Sequence, residues 1–231
     1  MSVMFGDTNA SSVRLLNRAG FNVVTPRNQV CCGALFAHSG RLEMAREHAA
    51  KNIAAFGCHK LDAIVINAAG CGSTLKEYGH LLEDGPRHAA GKEFSAKVKD
   101  LTEFLVSNGF MNQKFRSIGE RVTYHDACHL AHPQRITSQP RQLVRAVAGA
   151  NYVELPESDV CCGSAGTYNL TQPEMAEALQ NRKIQNILST GATVVVTSNP
   201  GCIMQISAGL EKAAPKIRVV HIADYLAHHL G

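Results

Sequence analysis

Asp159–Leu170 reads DVCCGSAGTYNL, and Gln29–Leu35, 130 residues earlier, reads QVCCGAL. Two similar segments at a fixed offset are the signature of an internal repeat. The offset extends outward from the cysteines. Pro26 pairs with Pro156 at 130, while Met44-Ala45 pairs with Met175-Ala176 and Ile53 with Ile184 at 131, so one residue has entered between them. Ala63–Ile66 falls on Val194–Thr197, and Gly70-Cys71 on Gly201-Cys202. Asp100–Leu105 resembles His221–Leu226 at an offset of 121, which leaves about ten extra residues in the first copy, within Gly79–Lys92. The chain therefore divides into two homologous domains, 1–115 and 116–231, each of a size that supports its own core.

With 231 residues, 45% of them hydrophobic and 18% charged, the composition is that of an ordinary globular chain. The net charge of +4 is spread without a basic run, which argues against nucleic acid as a partner. There is no apolar run long enough for a membrane span, and the first residues given show no secretory h-region. A cytoplasmic location is expected, with membrane association arising only peripherally through partners. Eight cysteines are many. A disulfide framework suits small secreted domains, whereas repeated cysteines in a reducing compartment point to metal or redox chemistry. No dinucleotide fingerprint is present, so no flavin or nicotinamide is expected on this chain.

In chain order, Asn9–Ala19 has helical spacing and Phe21–Val24 is strand-like. Arg41–Phe56 is an amphipathic helix, Leu61–Asn67 a buried strand, and Thr74–Tyr78 the start of another helix. Lys97–Lys99 is a short strand with a helix over Leu101–Ser107. In the second half, strands are expected at Arg121–His125, Tyr152–Leu155, Ala192–Thr197 and Arg218–His221. Helices are expected at Pro140–Val147, from the capping box Thr171-Gln-Pro-Glu174 to about Ser189, after Cys202, and at the C-terminus. His228-His229 is expected to face solvent. This alternation gives an α/β fold, each domain a mostly parallel sheet with flanking helices.

Ligands of parallel sheets sit beyond the carboxyl ends of the strands. Cys128, Cys161, Cys162 and Cys202 all follow a predicted strand, so three strand ends are expected to bring four thiols to one crevice. Cys31, Cys32 and Cys71 form the matching, three-thiol site of the first domain. Four thiolates suit an iron–sulfur cluster or a tetrahedral zinc ion equally, and isolated buried cysteines acting as small hydrophobes are the plain alternative. Gly33, Gly163, Gly166 and Gly201 let the backbone come close to such a group. Helix starts near Thr171 and Cys202 present positive ends to it. His125, His129 and His132 crowd the Cys128 loop as ligands, neighbours of ligands or surface groups. Tyr168 and Asn169 line the site or simply pack and cap. Cys58 has no counterpart in the second copy and is read as incidental.

The two CCG segments, with YHDACHLAH at Tyr124–His132, SAGTYNLTQPEM at Ser164–Met175 and NPGC at Asn199–Cys202, resemble the duplicated cysteine-rich CCG domains. That family includes the cysteine-rich subunit of heterodisulfide reductase, lactate utilisation protein A and the iron–sulfur subunit of glycolate dehydrogenase (glycolate oxidase). The resemblance covers essentially the whole chain. It implies a non-catalytic electron-transfer subunit carrying an iron–sulfur cluster, of the [4Fe-4S] kind. Its implied partner is an FAD-containing dehydrogenase subunit that oxidises glycolate or a similar 2-hydroxy acid. The competing function is a zinc-binding or metal-free scaffold for such a complex, or a lactate-utilisation-type subunit. Two family features are missing. Ala68 and Asn199 stand where a CxxC pair would begin, which favours four-thiolate over five-cysteine ligation, and no CxxCxxCxxxCP ferredoxin run is present. The counterpart of Cys128 would fall just before Met1. From this, Met1 is expected to be an internal residue of a longer subunit.

Overall fold

The computed structural model describes residues 3–116 and 119–231; the expectation about Met1 lies outside them. The first half runs α1 (Gly6–Arg18), α2 (Ala34–His38), α3 (Leu42–Gly57), β1 (Ile64–Ile66), α4 (Ala69–Lys76), α5 (Tyr78–Leu81), α6 (His88–Lys97), β2 (Val98–Asp100) and α7 (Leu101–Ser107). The second runs β3 (Val122–Tyr124), α8 (Cys128–Ala131), α9 (Ser138–Ala148), α10 (Tyr168–Thr171), α11 (Pro173–Thr190), β4 (Val194–Thr197), α12 (Pro200–Ala213), β5 (Arg218–His221) and α13 (Ile222–His229).

Both sheets are parallel. β1 pairs with β2 from Ile64↔Val98 to Ile66↔Asp100, and β4 lies between β3 and β5. All four residues of β4, Val-Val-Val-Thr, are buried, as expected of a parallel strand covered on both faces. The repeat is visible at the level of single contacts. Asp100 caps α7 by accepting from the Thr102 N–H at 2.8 Å, and His221 caps α13 through Nδ1, which accepts from the Ala223 N–H at 3.1 Å. The extra residues of the first copy fold as α5 and α6 between β1 and β2, where the second copy has only α12 between β4 and β5.

The hydrophobic core does not respect the repeat. One cluster joins Leu15, Leu16, Leu101 and Leu105 to Val122, Tyr124, Leu143 and Leu226. Across the same seam, the Thr8 hydroxyl donates to Asp224 at 2.6 Å. Full burial of a leucine contributes about 1.5–3 kcal/mol, so this shared cluster binds the halves to one another. Two smaller clusters lie on either side of it: Ala49, Ile64, Leu75, Tyr78 and Phe94 in the first half, and Leu130, Ile184, Val195 and Ile206 in the second, the latter joined by Ala69.

Several local expectations need correction. Tyr152–Leu155 makes only a parallel bridge to Val122, because the Thr123 hydroxyl, at 2.8 Å, takes the Val153 carbonyl. Phe21–Val24, its counterpart, is not a strand; β3, the only neighbour of the second-half segment, has no equivalent among the described residues of the first half. α4 begins at Ala69 rather than Thr74. Its glycines disguise the helix, and the second half satisfies its free N–H groups: Ala69 donates to the Ser198 carbonyl and Gly70 to Asn199 Oδ1. Thr171 does not cap α11, whose N-cap is Gln172 without a side-chain bond. Thr171 already ends α10, and its hydroxyl donates back to the Thr167 and Tyr168 carbonyls. His229 is buried against the Tyr225 ring, leaving only His228 exposed.

Candidate metal centre

The strand ends position the thiols. β3 runs through His125, Asp126 and Ala127 into Cys128, the first residue of α8. β4 runs through Ser198 and Asn199 into α12, which carries Cys202 in its first turn. β1 delivers Cys71 to the first turn of α4 in the same way. A helix N-terminus favours a thiolate, so both placements suit metal-binding cysteines.

Each CCG loop is seated on the long helix beyond it, α3 in the first half and α11 in the second, at equivalent places. Gly33 has φ +84 and Gly163 φ +94. A Cβ on Gly33 would lie 3.3 Å from Ala45 Cα, and one on Gly163 would lie 2.3 Å from the Ala176 carbonyl oxygen. Ala45 and Ala176 are themselves repeat partners. Only glycine meets both requirements, a left-handed backbone and the absent side chain. Gly201 is also tight, with the Ser164 hydroxyl 2.7 Å from an added Cβ, whereas Gly166 faces His38 and Leu35 at 3.6 and 3.9 Å.

In the second half, Cys128, Cys161, Cys162 and Cys202 form one continuous set of interacting thiols. Cys161 interacts with Cys128 and Cys162, and Cys162 with Cys202, closely enough for each to shift the other's pKa. The hydrogen bond to Cys161 and then burial push the Cys128 thiol up. Cys162 is raised by its bonds to Cys161 and Cys202 and by burial. Conversely, Cys161 is held low by Cys128 and Cys162, and Cys202 by Cys162. Gly163 N–H points at Cys161 Sγ at 3.4 Å and Asn199 Nδ2 at Cys202 Sγ at 3.5 Å. In the first half Cys32 is raised by Cys71 and by burial, and Cys71 is lowered by Cys32. Cys31 is exposed beside them. Among the described residues, Cys162 and Cys202 lie with His125 within 4.8 Å of one another, while Cys128 and Cys161 join them, and Cys31 joins Cys32 and Cys71, through these pKa effects. Cys58 stays out, exposed at the end of α3.

The three histidines separate. His132 is exposed, its Nε2 3.2 Å from the Asp159 carbonyl. His129 lies 3.6 Å from Cys128 Sγ, with its pKa lowered chiefly by desolvation. His125 is fully buried, and its ring lies near Cys162 and Cys202. Tyr168 heads α10 and, like Asn169, is half-buried.

Supporting residues went unread in the sequence. In the first half Asn52 Oδ1 accepts from Val30 N–H, its Nδ2 donates to the Cys31 carbonyl and Tyr78 hydroxyl, and Tyr78 donates to the Cys32 carbonyl at 2.8 Å. In the second, Lys183 is 1% exposed and donates to the carbonyls of Glu157 and Ser158, just before the CC pair. Arg141 forks onto Asp126 at 2.8 and 2.6 Å and also reaches the Ser158 hydroxyl. The two halves meet beside the sites: Asn199 receives Gly70 N–H, and Gln134 donates to the Ala69 carbonyl.

A duplicated α/β frame that places adjacent cysteines and strand-end cysteines in two thiol groups defines a paired cysteine-site protein. The model of the cysteine-rich CCG domain matches residues 1–76 and 122–207, and the chain belongs to that family. It is 40% identical over its full length to a protein of Bacillus subtilis (strain 168) named as a probable glycolate oxidase iron-sulfur subunit, covering 53% of it. An uncharacterized iron-sulfur protein of Methanococcus maripaludis is 34% identical over 93% of this chain and 42% of its own. The lactate utilization protein A of Oceanobacillus iheyensis is 31% identical over 98% of this chain and 93% of its own. The chain thus spans about half the length of the first two relatives.

Proposed function

We propose that this chain carries electrons for a flavoprotein complex that oxidises glycolate or a similar 2-hydroxy acid. Residues 1–115 and 116–231 are its two cysteine-rich domains. Cys128, Cys161, Cys162 and Cys202 hold an iron–sulfur cluster of the [4Fe-4S] type, and Cys31, Cys32 and Cys71 hold a second, more open one. The observation that carries this reading is the convergence of cysteines from two strand ends and the CCG loop, with Cys162 and Cys202 Sγ buried and within 4.8 Å of one another. The glycolate oxidase subunit name borne by the 40%-identical relative supports the partner and substrate class, an FAD-containing dehydrogenase acting on a 2-hydroxy acid. Lactate-utilisation relatives support the same class with another acid.

When bound, such a cluster takes up and releases single electrons. The chain's own contribution is to hold the ligands and exclude water. Cys162 and Cys202 are buried, Lys183 places a buried amine behind the CC loop, and Gly163 N–H and the Asn199 amide reach the sulfurs. No described helix is long and apolar enough to cross a membrane. A cytoplasmic location, with any membrane contact made through partners, fits this reading.

The test is anaerobic purification with iron, acid-labile sulfide and zinc measured together. Iron with matching sulfide is expected, lowered in Cys162→Ser and unchanged in Cys58→Ser. A colourless protein holding zinc, or equal iron in both variants, overturns the assignment.

A further inference from the structure

Among the described residues near the thiols, His125 has a buried ring that the fold leaves unpaired. It follows β3 directly and is 0% exposed. Its backbone is satisfied, the N–H donating to the Val196 carbonyl at 2.9 Å. Its ring is not: neither Nδ1 nor Nε2 has a hydrogen-bond partner, and among the described residues no other histidine leaves buried ring nitrogens unpaired. His221, equally buried, uses both nitrogens, one on Ala223 N–H and one on the Asn67 carbonyl. An imidazole carries at least one N–H donor, and burying it without an acceptor is unfavourable. What the ring does face is sulfur. A His125 nitrogen, Cys162 Sγ and Cys202 Sγ all lie within 4.8 Å of one another, and all three residues are buried.

We propose that the His125 ring N–H is the hydrogen-bond donor to the sulfur ligands of the second site, chiefly Cys202, and that it raises the reduction potential of the group they hold. This rests on the iron–sulfur reading above. Hydrogen bonds to ligand sulfurs are among the controls on such potentials, since they stabilise the more negative, reduced state. Cys202 has two candidate donors, the His125 ring within 4.8 Å and the Asn199 amide at 3.5 Å. Among the described residues no ring is grouped with the thiols of the first site in this way. There His48 has its Nδ1 on the Cys31 carbonyl at 2.9 Å. The imidazole therefore makes the two sites unequal and biases electrons toward the second half.

The experiment is a redox titration of the full chain, after iron and sulfide have been measured, on the wild type, His125→Phe and His125→Gln. A hydrogen bond to a charged sulfur changes the reduction equilibrium roughly ten- to hundredfold. The phenylalanine variant should fall to lower potential by that factor in the second-site wave alone, and glutamine, which keeps an N–H, should recover part of it. Unchanged waves, or equal shifts in both variants, overturn the proposal. Should the variants fail to fold, the wild type labelled with nitrogen-15 histidine decides by double resonance. A weak nitrogen coupling that survives His129→Ala supports the contact; no coupling, or one large enough for a direct metal bond, refutes it. Absence of iron sinks the cluster reading instead. In a zinc protein the contact predicts weaker zinc binding in His125→Phe, rescued in His125→Gln, and equal affinities overturn it. A chain that binds neither metal overturns both.

Discussion

Replacing Gly163 by alanine isolates what seats the CC loop. Two effects add. The residue has φ +94, where an L side chain is strained, and such a conformation is unfavourable by about 1–2 kcal/mol. The new Cβ would also lie 2.3 Å from the Ala176 carbonyl oxygen and 3.1 Å from its carbon. Those atoms belong to the first turn of α11 and cannot rotate away, so the loop or the helix must shift. Overpacking of this kind is unfavourable by about 1–3 kcal/mol, for a total of about 2–5 kcal/mol. Gly191→Ala is the control. Its φ is +64, yet the nearest atom to an added Cβ is 3.9 Å away, so strain acts there without collision. Urea unfolding of the metal-free, reduced chain should place Gly163→Ala below Gly191→Ala by about 1–3 kcal/mol. Equal midpoints would show that the loop does not rest on α11 and would refute the reasoning.

Two further perturbations probe the frame around the sites. His221 is neutral in the fold, its Nε2–H donating to Asn67 and its Nδ1 capping α13, and burial lowers its pKa below the ordinary value. The unfolded chain therefore binds more protons between the folded pKa and about 6.5, so stability rises with pH through that window, is lost as pH falls through it, and levels off below the folded pKa. Urea midpoints measured across that range should climb less steeply in His221→Asn, which can still cap; an unchanged slope counts against the assignment. Arg141→Gln leaves Asp126, 2% exposed, without its bidentate partner, at an expected loss of about 3–5 kcal/mol. Adding Asp126→Asn should recover part of it in a double-mutant cycle, and a single-mutant loss below about 1 kcal/mol, typical of an exposed pair, would refute the buried-pair argument.

The duplication and the thiol groups were legible because cysteine, glycine and proline report on local requirements that do not depend on distant neighbours. The 130-residue offset linked Gly33 to Gly163 before their shared contact with Ala45 and Ala176 could be seen. Tertiary partners account for most of what was illegible. The start of α4 is satisfied by Ser198 and Asn199, more than a hundred residues away, so no local signal marks it. Asn52, Tyr78, Lys183 and Arg141 hold the loops by reaching across the fold, and each reads in sequence as an ordinary polar or aromatic residue. The capping box at Thr171 failed because the preceding residues already form a turn of helix. The shared core was hidden as well, since hydrophobic periodicity says which face of a helix is buried but not against what.

The docking of α1 on α13 has a consequence for how the chain comes into being. Thr8 and Asp224, which bond across that contact, are 216 residues apart. At translation rates of about 5–20 residues per second, α1 waits roughly 10–40 s for its partner, with Leu15 and Leu16 lacking part of the cover that the finished protein gives them. A contact between such distant segments also closes late, because loop closure must be met before it is rewarded. The earlier elements, including β3, β4 and the cysteine loops between them, leave the ribosome before α13 does. The cysteines that follow β3 and β4 are thus synthesised and free to approach one another while α1 is still without its resting place.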